Sequence, residues 1–311
     1  VGSCASLLVP VVEASIEIDP DVIILAIGNN EHTMTTFYSG WAGRYPDLVY
    51  SLSETLGRSR IYGLLHRWIV GPVRVEESAD RSARAFDDPV DQEIYDIRSR
   101  PPNLDAFVDR LASPAATAAL EREQRLKERV FRARLRKMVG ELQDAGVAVV
   151  LATLPRRLTD VPVLSGIHSD DEAPYRALMQ ILLHHREFPE VEQAAREALS
   201  AEQLQRLAHY QYARGMFLLE QGDEGAAAAA LRLAAEWDMI PYITPGLNRI
   251  IRDVARETDC RLIDLATLGE RYLTHPQDLF MDTLHVNVAG ADVVAAEAAA
   301  VLGTMPALED R

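Results

Sequence analysis

Asp21-Val22-Ile23-Ile24-Leu25-Ala26-Ile27-Gly28-Asn29-Asn30-Glu31 is the stretch that decides the fold. Val22 to Ile27 is a short apolar run with no polar alternation, the pattern of a strand covered on both faces. Gly28 then permits a sharp turn, and Asn29, Asn30 and Glu31 follow it. Polar groups in that position matter, because ligands of open α/β sheets bind outside the carboxyl ends of the strands. Two further segments share the strand character, Val147 to Thr153 and Arg261 to Leu265. A helical stretch precedes each of the three: Ser6 to Ile18, Ala118 to Asp144 and Pro245 to Glu257. In the first of these, Leu7, Leu8, Val11, Val12 and Ile16 share one side. Gly146 sits where a helix C-terminal glycine belongs. Helix-then-strand alternation predicts an α/β fold with a three-layer parallel sheet and right-handed crossovers. Three strands are few for such a sheet. The chain begins at Val1, almost inside its first helix. We therefore expect an N-terminally truncated fold, with one or two strands upstream and the compartment not legible from this end.

The chain has 311 residues, enough for one large domain or two ordinary ones, and 48% apolar content to fill a sizeable core. A formal charge of −15 argues against a nucleic-acid binder, which needs a basic face. The densest basic stretch, Arg122 to Lys137, is interleaved with Glu123 and Glu128 and reads as a solvated helix face. No apolar run approaches the roughly 20 residues of a membrane span. Cys4 and Cys260 make neither a disulfide framework nor a metal site. His184 and His185 are adjacent and so face different directions on a helix. No cluster of His, Asp and Glu has ligand spacing, and no cofactor is called for.

The organisation predicted is an α/β core over residues 1–169 and 241–311, interrupted twice. Ser51 to Ala112 is the first insertion, with a helix over Ser53 to Val70 and a proline-punctuated polar loop over Glu76 to Pro102. The second, residues 170–240, is largely helical. Within it Ala208, Gly215, Leu218, Gly222, Ala227, Leu231, Ala234 and Asp238 fall at the positions of a tetratricopeptide repeat. Small residues at Gly215, Ala227 and Ala234 let two antiparallel helices approach, and Gly222 serves the turn. A single repeat cannot bury its own face. It is expected to pack on Pro174 to Leu199 or on the α/β body.

The chemistry lies near the C-terminus, in Met281-Asp282-Thr283-Leu284-His285, followed by Val286-Asn287-Val288-Ala289-Gly290. A general base in ester hydrolysis is an imidazole held in one tautomer. A carboxylate bonded to one ring nitrogen holds it and stabilises the imidazolium that forms. Asp282 and His285, three apart on a tight loop, suit these roles. Asn287 or Thr283 caps the following helix, Ala289 to Leu302. Asn30 offers a side-chain N–H for a developing oxyanion.

Together these blocks resemble the SGNH (GDSL-type) hydrolase family, named for Ser, Gly, Asn and His in separate blocks. Gly28-Asn29-Asn30-Glu31 resembles its Gly-x-Asn-Asp block, with Glu31 in place of the usual Asp. Asp282-Thr283-Leu284-His285 matches its Asp-x-x-His block. Gly2 fits the lone-glycine block, whose backbone N–H is the second oxyanion donor. The helical insertion resembles that of a bacterial subgroup. The likeness spans Gly2 to Leu302 and implies a flavodoxin-like fold and a serine esterase with His285, Asp282, Asn30 and Gly2 at its site. The departure is the Gly-Asp-Ser block. No strand ending in it precedes Val22, and Ser3 and Ser6 are the early candidates, so the nucleophile is expected upstream.

The expected activity is hydrolysis of acyl esters, such as O-acetyl groups on a carbohydrate or lipid. The expected partner is a small-molecule or glycan ester. Acyl transfer to a sugar hydroxyl would use the same residues. A different class is an interaction module without catalysis, in which the helical insertion binds a protein partner.

Overall fold

The computed structural model describes residues 5–29, 31, 114–160, 188–238 and 243–305, all within one compact unit made of Val1–His32 and Val108–Arg311. The insertion at Ser51 to Ala112, the His184–His185 pair, Cys4, Asn30 and Gly2 lie outside the described residues.

Helix α1 (Ala5–Ile16) leads into strand β1 (Val22–Leu25). Helix α2 (Pro114–Asp144) leads into β2 (Ala148–Thr153). A helical region follows, with α3 (Phe188–Ala198), α4 (Ala201–Arg206), α5 (Ala208–Glu220) and α6 (Glu224–Trp237). Helix α7 (Pro245–Glu257) then leads into β3 (Arg261–Asp264), a short helix α8 (Leu268–Arg271) and the last helix α9 (Val288–Leu302). The strands form one parallel sheet in the order β1-β2-β3. Val22 stands beside Ala148 and Leu25 beside Leu151, while Val150 stands beside Arg261 and Thr153 beside Asp264. The chain is thus of the α/β class.

Alternation of side chains along each strand splits the core into two faces. Ile23, Leu25, Val149 and Leu151 pack with α1, α2 and α7 through Val9, Val12, Phe131, Leu135, Met138, Leu142, Leu247, Ile251 and Val254. Val22, Ala148, Val150, Ala152 and Ile263 face the other way, onto α9 and the segment around Leu279 and Phe280. Arg132 ties α2 to α7 through Asp253 at 2.8 Å and Glu257 at 2.7 Å.

Several boundaries and one face differ from expectation: α2 begins at Pro114 rather than Ala118, β2 at Ala148 rather than Val147, and β3 ends at Asp264 rather than Leu265. The apolar run of β1 continues to Ile27, but ladder pairing stops at Leu25. In α1 the buried side runs through Ala5, Val9 and Val12, with Leu8 and Ile16 partly covered, and Val11 is 58% exposed. The last turn expected there, Glu17 to Ile18, is instead a turn leading to Asp19, whose φ is 51°. Gly146, at φ 79°, ends α2 as its position implied.

The α5–α6 pair is a helical hairpin. Gly222, at φ 79°, makes the turn. A Cβ on Gly215 would lie 2.6 Å from Leu231 Cγ, so only glycine allows this approach. The hairpin packs on both candidate surfaces. Phe217 stacks on Phe188 of α3, ring centroids 5.3 Å apart, and Ala228, Leu231 and Ala235 meet Leu158 and Leu273 of the α/β body.

Candidate active site

The Asp282–His285 loop is closed by its own backbone. Met281 N–H donates to His285 O at 2.8 Å, Phe280 and Val286 form a single antiparallel bridge, and Asn287 N–H donates to Leu279 O at 2.9 Å. Asn287, not Thr283, caps α9, its Oδ1 accepting Gly290 N–H at 2.9 Å, while its Nδ2 donates to Gln277 O. Gly290 is buried because the helix presses on the loop there. A Cβ would lie 2.3 Å from Leu279 O and 2.8 Å from Val286 Cβ.

Within this frame Asp282 uses both carboxylate oxygens. Oδ1 accepts the N–H groups of Leu284 and His285, each at 2.8 Å, and Oδ2 meets His285 Nδ1 at 2.8 Å. The His285 amide is the main reason the carboxyl is held down to about 2; burial works against it, and the Leu284 amide and the imidazole add to the lowering. An ionised carboxylate only accepts, so Nδ1 is the donor and the neutral ring keeps its lone pair on Nε2. Nε2 has no partner among the described residues. The side chains of His285 and Asp282 are 72% and 55% exposed, so the pair is open to solvent and adds little to stability by itself.

The neighbouring strand ends support the loop. Arg157, just past β2, donates its backbone N–H to Thr283 O at 2.9 Å. Leu284 packs against the core cluster that holds Ile27 and Leu151. The amide of Asn248 grips Leu154, accepting its N–H and donating to its carbonyl, both at 2.9 Å. At the end of β3, burial works against the Asp264 charge. The Arg252 fork and the Thr153 hydroxyl nevertheless hold it below the usual carboxylate range. Gly28, at φ 136°, turns the chain after β1, and a Cβ there would lie 2.6 Å from Ile243 Cδ1. The strands are parallel, so the Gly28 turn and the segment that holds Thr283 lie past the same, carboxyl edge of the sheet.

Of the expected site residues, Asp282 and His285 are in direct contact, whereas Asn30 and Gly2 fall outside the described residues. The Arg157 amide, Asn248 and Gly290 were missed. The first two act over long sequence separations, but a glycine three residues past an Asn cap was a visible signal for the third. No protein-family model, curated protein sequence or solved structure matches the chain.

Proposed function

We propose that the chain is a serine esterase of SGNH type that hydrolyses acyl esters, with His285 as general base and Asp282 as its orienting carboxylate. The observation that carries the reading is the Asp282–His285 contact, with Oδ2 on Nδ1 at 2.8 Å and Nε2 without a partner among the described residues. In the proposed reaction a serine hydroxyl from outside the described residues attacks the ester carbonyl as Nε2 takes its proton. The imidazolium, stabilised by Asp282, then returns the proton to the departing alkoxide. Water repeats the cycle on the acyl-enzyme. Asn30 and the Gly2 amide are the proposed oxyanion donors.

The test is turnover of p-nitrophenyl acetate and longer acyl homologues by the full-length protein. His285→Ala is expected to abolish it. Asp282→Asn is expected to be severely impaired, because the carboxylate that selects the tautomer is gone. Asn30→Ala is expected to cost about 10²–10³ in kcat. Near-normal turnover by the His285 variant would place the base elsewhere and overturn the reading.

A further inference from the structure

Glu31 ends the turn that follows β1 and is 1% exposed. Its Oε1 accepts the N–H of Ala5, the first residue of α1, at 2.8 Å across 26 positions of sequence. Its Oε2 is buried and has no partner among the described residues. Burial pushes the carboxyl up to about 7, opposed by the Ala5 amide and by Lys127 of α2, itself 6% exposed. Lys127 is the one charged side chain among the described residues that acts on it. A half-satisfied buried carboxyl costs stability that an apolar side chain of similar size would not. Its place therefore calls for something that it holds.

We propose that Glu31 is a positioning residue that fastens the turn at the end of β1 to the first turn of α1. The contact joins the turn past β1 to the far end of the helix that leads into β1, 26 residues back along the chain, and a carboxylate at a helix N-terminus is also favoured by the helix dipole. Glutamate is one methylene longer than the aspartate that the resemblance leads one to expect, and that length serves a reach across to another element. The consequence for catalysis rests on the esterase reading, in which the turn carries Asn30 and the stretch just ahead of α1 carries Gly2. The Glu31–Ala5 contact then fixes described residues that flank both proposed donors in sequence, and a displacement of about 1 Å at the site costs about 10²-fold in rate.

Full-length protein carrying Glu31→Gln or Glu31→Ala tests this by amide exchange and by ester kinetics. Gln keeps an acceptor for Ala5 N–H and loses the charge, whereas Ala loses both. The Ala variant should lose exchange protection at Ala5 while the amides of β2 stay protected. Its kcat should fall by up to about 10²-fold with KM little changed. The Gln variant should keep Ala5 protection and most of kcat, and its kcat–pH profile should lack one ionisation near pH 7 that the parent shows. Wild-type protection at Ala5 together with wild-type kcat in Glu31→Ala would overturn the proposal. So would loss of protection throughout β2, which would mark the residue as a general support of the fold. If the parent itself turns over no ester, the esterase reading fails and the catalytic consequence with it. The exchange data then decide the fastening alone.

Discussion

Glu31 and Asp282 are both carboxylates, and their surroundings push them in opposite directions. Asp282 is exposed and receives two backbone N–H groups and an imidazole, so its charge is favoured and its carboxyl sits at about 2. Glu31 is buried, with one oxygen lacking a partner among the described residues, and burial favours its neutral form up to about pH 7. The linkage signs follow. Between its ordinary 4.5 and about 7, folded Glu31 keeps a proton that the unfolded chain has released. Stability is therefore predicted to fall as pH rises through that window, by at most on the order of 3 kcal/mol. Glu31→Gln should flatten this part of the profile, read from urea midpoints between pH 4.5 and 8, and an equally steep slope in the variant would refute it. Asp282 acts in the opposite sense. Its contribution is present above 3.8 and is lost as pH falls toward about 2, and it is small because the pair is solvated. Gly290→Ala tests the loop sterically. The added methyl would meet the Leu279 carbonyl, so the variant should lose about 1–3 kcal/mol in denaturant unfolding and should lose ester turnover out of proportion to that.

Among the elements, the segment Leu154–Asp160 is where several others meet. Asn248 of α7 grips its start, its Arg157 amide holds the Asp282–His285 loop, and Tyr212 of α5 donates to the Thr159 carbonyl. Arg156 reaches from it to Asp238 at the end of α6 at 2.6 Å, with side chains 7% and 2% exposed. Breaking one half of a buried ion pair strands the other charge, so Asp238→Ala should cost about 3–5 kcal/mol. The pair Arg156→Met with Asp238→Leu should recover most of that, measured by urea unfolding. If the double variant is no better than the single one, the helical hairpin is held by its apolar contacts with Leu158 and Leu273. The hairpin itself was legible in sequence, because helix packing at Gly215 and the turn at Gly222 depend on local spacing. So was the Asp282–His285 contact, three residues apart. Its supports were not legible. Arg157 to Thr283, Asn248 to Leu154 and Glu31 to Ala5 join residues far apart in the chain, and no periodicity records such contacts. Strand ends were misplaced as well: Ala26 and Ile27 continue the apolar run but leave the ladder, which stops at Leu25 just before the turn at Gly28.

For the whole molecule, net charge and apolar surface oppose each other. A charge of −15 keeps copies apart. Yet β1 stands at the edge of the described sheet, and Ile24, on the face away from α1, is 43% exposed. An edge strand presents unpaired N–H and C=O groups, and an apolar side chain beside them makes it a template for another copy. Repulsion reaches about 30 Å at about 0.01 M salt and only about 3 Å at about 1 M. Self-association of the Val1–Arg311 chain should therefore increase with salt, followed by light scattering at fixed protein concentration. Ile24→Lys should suppress that increase, because a charge on an edge strand opposes pairing. Val11→Lys provides the control. Val11 is 58% exposed and lies on α1 rather than on the strand, and Val11→Lys adds the same charge to the molecule. If the two lysine variants suppress association equally, net charge alone governs it and the β1 edge has no special part. If Ile24→Lys alone does so, the edge of β1 is the surface through which copies meet.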